Sequence, residues 1–122
     1  MKINNFSIYT ITQQLLESFQ DSNQYLPIKL NFYIQKNKKT LLELAQGIDE
    51  SRMAIVQHYG TLDQKTGNYI VPPENVAAAN KEIEDLLSIE QDVNILKVKF
   101  EDIPENISLT TGQMEAIMFM IE

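Results

Sequence analysis

The sequence contains no cysteine, one arginine and one histidine. Without cysteine there is no disulfide framework, no thiol nucleophile and no thiolate metal site. A lone histidine rules out paired-histidine metal centres, and HExxH is absent. Glycine and proline number four each, and neither standard Gly-rich phosphate loop occurs. No stretch approaches the ~18 consecutive apolar residues of a membrane span. The opening "MKINNFSIYTITQQ" lacks the continuous apolar centre of a secretion signal. These absences lead to the expectation of a protein of a reducing cytoplasm, off the membrane, with no cofactor.

What is present is an ordinary globular composition. The 122 residues are 43% hydrophobic and 22% charged, enough for one domain (1–122) with its own core. The net charge of −7 is uneven. Residues 1–61 hold six basic side chains against five carboxylates, and residues 62–122 hold four lysines against twelve. Such a surface excludes non-specific nucleic-acid binding by the whole molecule. The acidic half either keeps the chain soluble or meets a basic partner, as a nucleic-acid mimic would.

"MKIN" reads as a short strand. "FSIYTITQQLLESF" follows with Ile8, Ile11, Leu15 and Phe19 at helical steps, capped by Asn5 or Ser7, and "QDSNQY" is a polar break. From Pro27, a good first helical residue, no proline occurs before Gly60, a C-cap. Ile34, Leu41, Ile48 and Ile55 fall seven apart, with Leu30, Leu44 and Tyr59 on the same stripe. The pattern predicts one helix of ~33 residues and roughly 50 Å, longer than a domain of roughly 35 Å. Either it breaks, around Asn37–Thr40 or at Gly47, or the overhang packs on another chain. The unbroken helix with self-association is the expectation.

"TLDQKTGNYIV" reads as a hairpin turning at 65–68, and "PPEN" opens a helix carrying Val76, Ile83, Leu86 and Leu87. "DVNILKVKF" (Asp92–Phe100) is a strand and "EDIPEN" a loop. Thr110 with Gln113 forms a capping box, and Leu109 with Met114 a hydrophobic staple. The apolar "MEAIMFMIE" follows as a helix buried in the core or docked on a partner. The fold class is α+β and mainly helical. One long central helix is joined by a small antiparallel sheet, built from the opening strand, the hairpin and Asp92–Phe100, and by a C-terminal apolar helix.

"SRMAIVQHYG" holds the lone Arg52 and His58. Ser51 and His58 share a helix face but lie roughly 10 Å apart, too far for a nucleophile–base pair. His58 sits in the last turn, where a cationic ring suits the helix dipole. Arg52 falls at the centre of the apolar stripe, nearly eclipsing Ile34. There it either pairs with a carboxylate (Glu84, Glu90, Asp92 and Glu115 are candidates) or binds a phosphate or carboxylate ligand. Asn37 is the other polar residue of the stripe and fixes register in an oligomer. Lys29, Lys36 and Lys39 share one face with Lys38 nearby, as a solvated face or a phosphate-binding one. "DQKTGN" departs from a calcium loop at Lys65. Glu82 with Asp85 and Glu101 with Asp102 are carboxylate pairs without an apolar pocket around them. Arg52, Tyr59, Asn37, Lys29 and Lys36 are the candidate ligand- or partner-binding residues, and none is a candidate catalytic or metal-binding group.

The order of "LPIKLNFYIQKN", "HYG", "GNYIVPPEN", "DLLSIEQDVNI" and "MEAIMFMIE" resembles small uncharacterised proteins of phages and prophages of Gram-positive bacteria. The resemblance covers most of the chain and carries no catalytic motif. It implies a phage accessory protein acting in the host cytoplasm. The first expectation is therefore a non-enzymatic, homo-oligomeric inhibitor of host defence that grips a host protein or sequesters a nucleotide-like signal. The second is a virion-assembly or chaperone-like component binding another phage protein, and a small enzyme ranks third.

Overall fold

The computed structural model describes residues 1–20, 24–104 and 107–122, so parts of the polar break and of the "EDIPEN" loop lie outside the described residues. The long helix is unbroken. Here α2 runs Ile28–Tyr59, 32 residues, or ~48 Å. Pro27 stands as its N-cap, so the helix begins one place after the expected first position. Gly47 does not interrupt it: the position is exposed, and an added Cβ would meet nothing within 4 Å. Gly60 ends the helix, its N–H donating to the Val56 carbonyl at 2.8 Å. Its φ of −107° suits any residue. Glycine is required there because a Cβ would lie 2.7 Å from the Val56 oxygen and 3.1 Å from the Ile70 oxygen.

The core face of α2 carries Leu30, Ile34, Asn37, Leu41, Ala45 and Ile48. Helix α1 (Asn5–Ser18) brings Ile8, Thr12 and Leu15 against it. Tyr9 bonds Asp49, while Phe19 shares a cleft with Gln35 and Lys38, so the two helices run antiparallel. Helix α3 (Pro73–Ser88) covers the C-terminal half of α2, also antiparallel. Asn75 donates to the Tyr59 carbonyl at 3.0 Å, and Leu86 lies by Gly47 and Ser51. Helix α4 (Thr111–Ile117) and a 3-10 turn (Met118–Met120) close the core with Ala116, Ile117 and Met120. The Thr110–Gln113 capping box is formed. The helix is shorter than expected: Met118 is exposed, and Ile121 leaves helical geometry to bridge Val98. The α1 cap is Asn4, whose side chain accepts from the Ser7 N–H at 2.7 Å, rather than Asn5 or Ser7.

The single small sheet resolves into two separate ladders. Strand β1 (Lys2–Asn4) pairs antiparallel with β4 (Glu90–Asp92), and β2 (Thr61–Leu62) pairs antiparallel with β3 (Tyr69–Ile70). The expected strand at Asp92–Phe100 is corrected: the pairing ends at Asp92, and the chain beyond is extended without a ladder. Its backbone bonds go to four residues at three places in the fold. Val93 meets Met1, Leu96 meets the Asn37 side chain, and Val98 meets Met120 and Glu122. Val93 and Val98 remain buried. The backbone groups of Val93, Leu96 and Val98 thus find partners without a further strand alongside.

Asn37 is 1% exposed. Its Nδ2 donates to the Leu96 carbonyl and its Oδ1 accepts from the Leu96 N–H, both at 2.9 Å. The amide therefore sets register inside the chain, which corrects its assignment to an oligomer seam. Asn37→Ala would leave both Leu96 groups without that partner, at roughly 1–3 kcal/mol per buried group. Urea unfolding should show a loss of about 2–4 kcal/mol, against under ~0.5 kcal/mol for Ala at the exposed Asn31. Equal stability of the two variants would refute the assignment.

Candidate functional site

The last buried residue of α2 is Ile48, and the eleven residues from Asp49 to Tyr59 include none. With the hairpin and the start of α3 they form an arm whose surface is partly apolar. Met53 is 46% exposed, Leu62 53%, Ile70 55% and Val76 40%. Leu62 and Tyr69 are register partners, so their side chains share one face of the ribbon, and Thr61 and Ile70 share the other. Both faces are open to solvent. The loop is held by Asp63: its carboxylate accepts from the Lys65 N–H at 3.1 Å and from the Thr66 hydroxyl at 3.0 Å. Gly67, at φ 74°, returns its N–H to the Asp63 carbonyl. The carboxylate of "DQKTGN" is thus engaged in shaping a turn. Along α3 the exposed side chains include Glu74, Glu82, Glu84 and Asp85 against Lys81, so the arm is acidic as well as apolar.

Arg52 stands on this arm, and its expected surroundings need correction. It is on the same side of α2 as Ile34, as the periodicity predicts. The core, however, has ended one turn earlier, and the side chain is exposed. Its ion pair is with Asp49, 3.6 Å away on the same helix, both side chains about half exposed. None of Glu84, Glu90, Asp92 or Glu115 is its partner. Tyr9 reaches from α1 and donates its hydroxyl to the same Asp49 carboxylate. Partial burial and the adjoining Asp49 push the Tyr9 phenol up to about 12, the nearby Arg52 acting against them. Nothing in the sequence pattern pointed to this Tyr9–Asp49–Arg52 group, since forty residues separate Tyr9 from Asp49.

The other candidates lie apart. Tyr59, seven residues after Arg52 and roughly 10 Å along the axis, stacks edge-on with His58 at 4.8 Å. Its phenol is raised above the ordinary value by loss of hydration and by the Glu82 carboxylate. Lys36 is sixteen residues and Lys29 twenty-three residues before Arg52, about 24 and 35 Å along the helix. Lys36 sits 5.9 Å from the Phe32 ring and Lys29 5.7 Å from the Tyr33 ring. Asn37, the residue after Lys36, is buried. The five candidates therefore form no common site. Five surface clefts of about 200–510 Å³ are each lined by neither Arg52 nor Tyr59. The one beside Lys38, about 440 Å³, is walled by Gln20, Gln24, Asn31 and Gln35 between α1 and α2. Ser51 and His58 are both exposed on one straight helix. Among the described residues no group of three or more His, Asp or Glu side chains could hold a metal ion, and no helix is long and apolar enough to cross a membrane.

The pattern also missed two buried amides that pin the termini of elements. Asn5 bonds the Leu86 carbonyl at 2.8 Å and Gln91 at 2.7 Å. Gln113 bonds the Ser18 carbonyl at 2.8 Å and exchanges two bonds with Gln24. The capping-box spacing flagged Gln113, though only for its local role. No family model, curated protein or solved structure matches the chain.

Two outcomes test this geometry. Arg52→Ala should change stability by less than about 0.5 kcal/mol, as for exposed pairs within a helix. A loss of ~3 kcal/mol would show that the guanidinium is buried after all. Spectrophotometric titration should resolve one late phenolate near 12, absent from Tyr9→Phe. Because folding raises this group, its contribution to stability is complete below the unfolded value near ~10. It is lost as pH rises towards 12, so wild type should lose more stability across that window than Tyr9→Phe.

Proposed function

We propose that this chain is a non-enzymatic phage accessory protein that inhibits a host defence system by gripping a host protein. The observation that carries this reading is the arm beyond Ile48. It exposes Met53, Leu62, Ile70 and Val76 beside the carboxylates of α3. Exposed apolar side chains beside a surface where carboxylates outnumber the cations Arg52, Lys65 and Lys81 suit a protein target that offers basic residues around an apolar centre. A protein target is favoured over a sequestered nucleotide, because Arg52 stands in the open and its one ion pair is already made with Asp49. The organisation shared with small phage proteins supplies the setting, the cytoplasm of an infected host.

A second reading, a virion-assembly or chaperone-like component, is favoured by the length of α2 and by the apolar residues on its outer side.

The test is expression of the chain in defence-carrying Gram-positive hosts challenged with a restricted phage. The expected result is a rise in plating of about a hundredfold or more over hosts without the chain. Leu62→Asp with Ile70→Asp should abolish it while leaving the circular dichroism spectrum unchanged, since both side chains are exposed. No rise against any defence system, with the chain recovered from purified virions, would transfer the reading to assembly.

A further inference from the structure

Four large apolar residues of α2 are exposed: Ile28 at 81%, Phe32 at 53%, Leu42 at 37% and Met53 at 46%. At 3.6 residues per turn they fall within a sector of about 80°. The buried set from Leu30 to Ile48 spans a sector of similar width on the opposite side. Gln35, Lys39, Gln46 and Glu50 fill the outer sector between them, all exposed. Positions 28, 32, 35, 39, 42, 46, 50, 53 and 57 alternate in steps of three and four, the spacing of a helix–helix seam. Among the described residues no helix or strand covers this side.

We propose that the outer side of α2 is the contact surface for a second copy of this chain, packed antiparallel about a two-fold axis near Leu42. Charge selects both the occupant and the direction. From residue 24 to 42 the chain carries Lys29, Lys36, Lys38 and Lys39 and no carboxylate. From 43 to 59 the helix carries Glu43, Asp49 and Glu50 against Arg52. A parallel pair would set lysine on lysine. An antiparallel pair centred between 42 and 43 sets Phe32 on the copy's Met53 and Ile28 on its Gln57. It also places Lys39 between the copy's Glu43 and Glu50, and Lys36 on the same flank as its Glu50. The ammonium of Lys36 lies 5.9 Å from the centre of the Phe32 ring, and in the dimer it exchanges that contact for a carboxylate of the copy. The surface is complementary to itself, as a two-fold interface requires. It takes up Met53 but leaves Leu62, Ile70 and Val76 of the arm free, and the inference stands whichever partner that surface binds.

Sedimentation velocity on the full chain tests it. Wild type should reach twice the 14.0 kDa chain mass. Lys36→Glu with Lys39→Glu, and separately Glu43→Lys with Glu50→Lys, should each weaken the dimer about tenfold or more. Their equimolar mixture should restore it, because each acidified half then meets a basified one. Direction is read by disulfide formation, for which the absence of native cysteine leaves a clean background. Phe32→Cys mixed with Met53→Cys should cross-link, and Phe32→Cys alone should not. A monomer at all concentrations overturns the proposal. So does a dimer indifferent to both charge reversals, or one in which Phe32→Cys cross-links to itself.

Discussion

The structure depends on a helix longer than the core it serves. Alpha-helical backbone satisfies its own hydrogen bonds, so α2 can run on past Ile48 without a buried side chain to hold it. Every other element is placed by the part of α2 it covers. Helix α1, the 93–98 segment and the C-terminal turns take the N-terminal half, where Ile34, Leu41, Ile117 and Met120 are fully buried. Helix α3 and the hairpin take the C-terminal half, where Ala79 is the buried contribution of α3. The first half is a core; the second is an arm stiffened by one neighbouring helix.

Within the core half, position is fixed by buried carboxamides more than by strand pairing. Asn5, Asn37 and Gln113 each bond across 59 residues or more, to backbone that lacks a ladder or lies at a helix end. A leucine at any of these places would pack but would not specify which peptide group lies opposite. A bonded amide does specify it, since a slip of one residue strands a buried donor and acceptor. This explains how the irregular segment 93–98 can thread the core with the backbone of Leu96 held by the Asn37 amide.

Periodicity made the course of α2, its end at Gly60, the hairpin and the α4 capping box legible in the sequence, because each rests on local geometry. Depth was not legible. The helical wheel placed Arg52 on the side of Ile34 correctly, but the wheel has no axial coordinate and does not say where the core stops. Burial of Arg52 and its distant carboxylate partner were inferred from that missing dimension. Asn37 was singled out because it interrupts the same stripe. Its partner, the Leu96 backbone, offers no side-chain signal to find. The strand at Asp92–Phe100 failed for a related reason: alternation reports an extended, half-buried chain and is silent on whether another strand lies beside it.

The charges of α2 bear on the same question of what lies outside the chain. A helix arranged for its own stability places carboxylates in the first turn and cations in the last. The first turn of α2 has no acidic residue and holds Lys29, an arrangement that costs a few tenths of a kcal/mol to the helix itself. The lysines that follow are answered by no carboxylate within their own half. Neighbouring elements do not answer them either, for the one ion pair among the described residues is Arg52 with Asp49. Charge segregated along one helix, against its own dipole and beside an exposed seam, finds its natural complement in the same helix reversed. On the proposed dimer the fold has two outward surfaces: a self-complementary seam along α2, and a second one around Leu62, Ile70 and Val76 that the seam does not cover.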